Sequence, residues 1–209
     1  KACAARFAAE GAFVAVLDID QTAAETAAGE FGGLGLRCDI SDHASVHACV
    51  QRVIERWGRI DVLVANAGVY RGGPLTDDLL DDWRLVLETN LTGTYLSCHA
   101  VAGQMTAQKC GSIVVMSSMA AKTSWPNSAA YSAAKTGGIG LVRSVAMELG
   151  AHNINCNAVC LGHADTEMMR AVDRSVCAEN GWEPGTYLKE LADSNPMKRL
   201  ATLEETAAL

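Results

Sequence analysis

Ser112-Ile113-Val114-Val115-Met116-Ser117-Ser118 is an apolar run that breaks into two small hydroxyl residues, and thirteen positions beyond Ser118 an Ala-rich helical stretch carries Tyr131-Ser132-Ala133-Ala134-Lys135. A strand this apolar suits a sheet covered on both faces. Its polar end belongs at the carboxyl edge, where open α/β sheets bind ligands. Similar runs lie on either side. Residues 12–17 end in Asp18, 34–38 end in Asp39, 60–64 run into Ala65-Asn66-Ala67-Gly68, and 154–159 run into Cys160-Leu161-Gly162.

Helix-length patterns separate these runs. Residues 41–57 place Val46, Val50, Val53, Ile54 and Trp57 on one face, with Ser41 as the expected N-cap and Gly58 as the stop. Residues 77–108 form a long pattern with an acidic first turn, which suits the helix dipole. Residues 129–149 form another, ending at Gly150. The alternation predicts an α/β fold: a doubly wound, Rossmann-like, mostly parallel sheet with helices on both faces. One domain over 1–209 is expected. The segment at about 163–199, with Gly181, Pro184, Gly185 and Pro196, reads either as a lid over the substrate or as a surface insertion.

The chain has 209 residues and a formal net charge of −7, so a nucleic-acid footprint is not expected. No apolar run is long enough to cross a bilayer. No charged start followed by an apolar stretch suggests a secretory signal, and a cytoplasmic protein is expected. Eight cysteines are scattered without a Cys-x-x-Cys pair, which reads as free thiols in a reducing compartment. His43 and His47 stand at i, i+4 without an evident third ligand, and no metal site is expected.

The chemistry concentrates near Tyr131. On a helix, residues i and i+4 share a face, so the Tyr131 phenol and the Lys135 ammonium can enter one pocket. A nearby cation favours phenolate and draws its pKa down toward neutrality, giving a group able to donate or accept a proton. Ser118, at a strand's end, can face the same pocket and hold a substrate oxygen as charge develops on it. Gly68 permits close approach of a backbone to a ligand. Asn90, in Thr89-Asn90-Leu91-Thr92-Gly93, reads as a kink or packing site within a helix. Asp18, ending the first visible strand, can accept both adenosine ribose hydroxyls and repel a 2′-phosphate.

Together these residues resemble the short-chain dehydrogenase/reductases, at the spacing of that family's classical members and over essentially the whole chain. Asn66-Ala67-Gly68 matches the Asn-Ala-Gly motif, and Asn90, Ser118, Tyr131 and Lys135 match the catalytic Asn, Ser, Tyr and Lys. The resemblance implies that Tyr131 is the general acid for reduction and the general base for oxidation. It implies that Lys135 lowers the phenol's pKa and binds the nicotinamide ribose, that Ser118 orients the substrate oxygen, and that Asn90 holds a relay water. It places Asp39 and Ile40 at the adenine, Gly162 in a turn near the nicotinamide, and Thr166 on its carboxamide. Ile19 stands where NADP enzymes of the family often carry a basic residue, so NAD is preferred over NADP. A homotetramer, or a dimer, through the two long helices is also implied.

The family's Gly-rich phosphate loop has no counterpart here. Residues 1–11 resemble the helix that follows it, and 200–209 resemble the last family helix. The first and last strands of the family sheet are therefore expected to be missing. The edges of 12–17 and 60–64 should then lack a shared ladder partner, and the polypeptide alone should fold and bind NAD poorly. Leu161 stands where Pro is usual before Gly162.

The expected activity is hydride transfer between a nicotinamide cofactor and a carbonyl or secondary alcohol, with a small alcohol, diol or polyol as substrate. A 3-oxoacyl-thioester reductase or a non-catalytic dinucleotide-binding relative are the alternatives. The Ser-to-Tyr spacing speaks against a nucleotide-sugar epimerase.

Overall fold

The computed structural model describes residues 1–77 and 79–208. The expected helix over 77–108 includes Asp78, and the expected last helix reaches Leu209; both residues lie outside the described ones. Contacts gather into two compact units, one of Phe13–Cys160 and one of Lys1–Ala12 with Leu161–Leu209.

In the larger unit, β1 (Ala15–Asp18), β2 (Leu34–Arg37), β3 (Val62–Ala65), β4 (Gly111–Ser118) and β5 (Ile154–Leu161, whose last residue falls in the other unit) alternate with helices. Strands β1 and β2 pair in parallel, from Ala15 opposite Leu34 to Asp18 opposite Arg37. Strands β3 and β4 also pair in parallel, from Val62 opposite Ser112 to Ala65 opposite Val115, and β5 follows β4. Among the described residues β1 and β3 share no ladder, so the strands form a two-stranded and a three-stranded sheet. This is the break expected between those two edges.

Helices join the two sheets. Helix α2 (Gln21–Gly29) packs on β1 and β2, with Asp20 capping it through the N–H groups of Thr22 and Ala23. Helix α3 (His43–Trp57) packs on β2, and α5 (Gly93–Gln108) packs on β3, β4 and α3. Helix α6 (Ala129–Leu149) packs on β4. The core fills the space between them: Val101, Met105, Ile113, Val115, Ile154 and Cys156 are buried together. Buried residues of β4 and β5 lie in this core, while β1, β2 and β3 are part-buried.

Helix α3 ends at Gly58 in the left-handed region, φ 74°, as expected. Its N-cap is Asp42, not Ser41. Ser41 is drawn off by Asp39, whose Oδ1 accepts both the Ser41 N–H (2.9 Å) and its hydroxyl (2.6 Å). The next acceptor, Asp42, then takes the Ala44 N–H at 3.0 Å. The long helix begins at Leu80, with α4 (Leu80–Leu87) passing through a π turn at Glu88–Thr92 into α5. The expected kink at Asn90 is this π turn, a feature often found at functional sites.

In the smaller unit, α1 (Ala2–Ala9) packs on α9 (Leu203–Ala207), and α7 (Glu167–Asn180) packs on α8 (Thr186–Ser194). Residues 163–199 thus contain two real helices. Asp173 on α7 is buried, and its carboxylate accepts the N–H groups of Gly185 (2.7 Å) and Leu188 (3.0 Å) at the start of α8.

Candidate active site

Three elements of the larger unit carry the expected catalytic residues to one place. Ser118 ends β4, Tyr131 and Lys135 lie one turn apart on α6, and Asn90 sits in the π turn. The Ser118 hydroxyl lies close enough to the Tyr131 phenol to draw its pKa down. The Lys135 ammonium lies 5.6 Å from the Tyr131 ring centroid. Helix α6 is pinned to β4 at this point. Lys135 Nζ donates to the Met116 carbonyl at 2.8 Å, and Ser117 Oγ donates to the Lys135 carbonyl at 3.2 Å. Ser118 Oγ also accepts the Ala120 N–H at 3.1 Å, which holds the serine at the strand's end.

Burial sets the electrostatics. It lowers the Lys135 pKa from 10.5 to about 8. Burial also raises the Tyr131 phenol above its ordinary value, and the Ser118 hydroxyl offsets this only in part. The tyrosine's shift is opposite to the one expected from its spacing to Lys135. The phenol loses water, while the ammonium lies over the ring, 5.6 Å from its centroid, and is engaged by the Met116 carbonyl.

Asn90 is almost fully buried, and its side chain is committed to the backbone of Val69. That clamp holds the Asn66-Ala67-Gly68 loop after β3. A Cβ at Gly68 would lie 3.0 Å from Asn90 Oδ1 and 3.7 Å from Lys135 Nζ, so this backbone meets the site closely. The Asn90 carbonyl accepts the Thr94 hydroxyl at 2.8 Å. Asn66 and Ala67 are exposed.

The expected cofactor residues of β1 and β2 also converge. Asp18 and Ile19 are exposed where β1 ends, and the Asp18 carbonyl accepts the Cys38 N–H at 2.8 Å. This brings Asp18 beside Asp39, whose carboxyl is held below its ordinary pKa chiefly by the Ser41 hydroxyl. Ile40 abuts α5: a Cβ at Gly93 would be 2.7 Å from Ile40 Cδ1. A carboxylate at one strand end, open glycine backbone at another and a buried lysine fit a dinucleotide's ribose hydroxyls and nicotinamide. Gly162 and Thr166 belong to the smaller unit, where the Thr166 hydroxyl caps α7 by accepting the Met169 N–H at 3.2 Å.

One neighbour escaped the sequence reading. The Tyr70 ring stands 5.3 Å from that of Tyr131, edge-on at 68°. Its signal was an aromatic residue two positions past Gly68, in a loop at a strand's carboxyl end.

Fold and site together define a Rossmann-type α/β oxidoreductase. A family profile described as Enoyl-(Acyl carrier protein) reductase matches residues 1–209. "Oxidoreductase UcpA" of Escherichia coli K12 is 38% identical over 209 residues, covering 97% of this chain and 78% of that protein. "D-threitol dehydrogenase" of Mycolicibacterium smegmatis is 35% identical over 214 residues, covering 99% and 78%. The solved structure of NAD+-bound xylitol dehydrogenase superposes with a TM-score of 0.89 at 33% identity, covering 99% of this chain and 84% of that one. The chain belongs to the short-chain dehydrogenase/reductase family, whose members are oxidoreductases that transfer hydride between a nicotinamide cofactor and a carbonyl or alcohol.

Proposed function

We propose that this chain is an NAD-preferring dehydrogenase of small alcohols, diols or polyols, with Tyr131 as its acid–base group. The observation that carries this reading is the convergence of the Ser118 hydroxyl, the Tyr131 phenol and the Lys135 ammonium at the carboxyl end of β4. A bound nicotinamide would accept the hydride in oxidation and supply it in reduction. Ser118 holds the substrate oxygen, and Tyr131 takes its proton in oxidation or returns it in reduction. A phenol raised by burial stays protonated at neutral pH and is thus ready to act as the acid. Lys135 is the cation that stabilises the phenolate when Tyr131 acts as base, and a hydrogen-bond donor for the nicotinamide ribose. Asn90 positions the loop after β3 and takes part in relaying the proton.

Asp18, Ile19, Asp39, Ile40, Asn66, Ala67, Gly68, Gly162 and Thr166 are proposed as the remaining cofactor contacts. The exposed Asp18 carboxylate and the apolar Ile19 support NAD over NADP. The polyol reading draws on the threitol and xylitol dehydrogenases among the relatives. Eight free cysteines fit a reducing cytoplasm, and a homotetramer is the assembly suggested by the family resemblance.

The test is a panel of linear polyols, simple secondary alcohols and 3-oxoacyl thioesters, each with NAD and NADP. Highest kcat/KM on a polyol with NAD is expected. Highest kcat/KM on a thioester would replace this reading with that of an acyl-thioester reductase.

A further inference from the structure

Tyr70 is held in place from both ends. On one side, the Asn90 side chain accepts the Val69 N–H and donates to the Val69 carbonyl, each at 2.8 Å. On the other, the Gly73 N–H donates to the Asn127 carbonyl at 3.0 Å. Asn127 has φ 61°, in the left-handed region, which turns its carbonyl toward the loop after β3. A Cβ at Gly72 would lie 2.3 Å from the Asn127 oxygen and 2.6 Å from the Tyr70 hydroxyl. Only glycine leaves room for the phenol to lie where it does. The loop before α6 is itself tied down, with Ser128 Oγ donating to the Trp125 carbonyl at 2.6 Å.

This ring meets Tyr131 edge-on, at 5.3 Å. The Ser118 hydroxyl is close to the Tyr131 phenol, and the Lys135 ammonium lies over its ring, 5.6 Å from the centroid. Both tyrosines are half-buried, so part of this ring pair stays open to a ligand next to the residue that carries the reacting hydroxyl. A flat aromatic surface beside the reacting group would do two things. It gives the C–H bonds of a short hydroxylated chain an apolar face, and it occupies the volume that a bulky substituent on the reacting carbon would need.

We infer that Tyr70 is a specificity-determining residue of this active site, whose ring favours a short linear polyol over a bulky cyclic alcohol. The inference rests on the polyol reading above. Tyr70 takes no part in proton transfer, so its removal should leave the pH profile in place and act on substrate choice.

The experiment compares kcat/KM for xylitol and for cyclohexanol, with NAD, in the whole enzyme and in Tyr70→Phe, Tyr70→Leu and Tyr70→Ala. The alanine variant should shift the xylitol-to-cyclohexanol ratio toward cyclohexanol by about 10- to 200-fold, the range that even one methylene in a hydrophobic pocket can produce. Phenylalanine keeps the ring and should hold the ratio within about threefold. Leucine keeps bulk without an aromatic face. It should lower kcat/KM for xylitol while still excluding cyclohexanol, and it decides the matter should the alanine variant fold poorly. Equal losses on both substrates would mark a merely structural ring and overturn the inference, as would an unmoved ratio. Oxidation of neither alcohol by the wild-type enzyme would overturn the substrate reading and this inference with it. An active wild type with an unmoved ratio would overturn only the role of Tyr70.

Discussion

Asn90 grips Val69 from both sides: its Oδ1 accepts the Val69 N–H and its Nδ2 donates to the Val69 carbonyl, each at 2.8 Å. The π turn on the long helix is thereby joined to the loop after β3, across 21 residues of sequence. Replacing Asn90 by Ala strands one donor and one acceptor. A loss of about 2–4 kcal/mol is expected in urea denaturation, with a fall in kcat as the loop loosens. A change below about 0.5 kcal/mol would show that the clamp contributes nothing.

Lys135 should be a residue that costs stability. Burial takes its pKa from 10.5 to about 8, equivalent to about 3 kcal/mol against the charged form. Loss of its bond to the Met116 carbonyl would offset about 1 kcal/mol of any gain from removing it. Lys135→Met is therefore expected to be inactive yet more stable by about 2 kcal/mol at neutral pH. The sign with pH follows from the folded pKa lying below the unfolded one. The burial cost is full below about 8 and is relieved as pH rises from about 8 toward 10.5. The stability difference between variant and wild type should shrink over that window. A variant less stable than wild type at neutral pH would contradict this.

Asp173 works in the opposite sense. Burial pushes its carboxyl up, but the Leu188 and Gly185 N–H groups and the Cys177 thiol outweigh that and hold it below 3.8. Its contribution is therefore present above the ordinary aspartate pKa and is lost as pH falls through the depressed value. Asp173→Asn should lower Tm by a few degrees at neutral pH, with the difference narrowing under acid. Identical melting curves at both pH values would remove Asp173 as the tie between α7 and α8.

Asp18 is expected to decide the cofactor. Asp18→Ser removes the carboxylate at the end of β1 and should cut kcat/KM with NAD by about 10- to 100-fold, the worth of hydrogen bonds to a charged group. Use of NADP should rise relative to NAD. An unchanged NAD-to-NADP ratio would place the discrimination elsewhere.

Much of this was legible in the sequence, and the exceptions share a cause. The apolar runs located each strand of the larger unit among the described residues, because a strand-length apolar run is itself a local signature. Their limits depend on distant partners. The run at 60–64 becomes β3 only from Val62, because the Gln108 side chain, 48 residues on, takes both the Ile60 N–H (2.9 Å) and its carbonyl (2.7 Å). Ser41 has the chemistry of a cap, but Asp39 competes for it. Tyr131, Lys135 and Ser118 could be placed together because helix and strand geometry are periodic. The direction of the tyrosine's pKa shift could not, because it depends on burial. Tyr70 was passed over because its position requires two loops to close on Gly72.

The most direct test of the account is turnover by Tyr131→Phe on the best polyol with NAD, alongside a thermal melt. The substitution keeps the ring and its contact with Tyr70 while removing the hydroxyl. A loss of about 100- to 10,000-fold in kcat with an unshifted melting temperature is the expected result. Turnover near the wild-type rate would mean that the proton travels by another route and that the proposed mechanism is wrong.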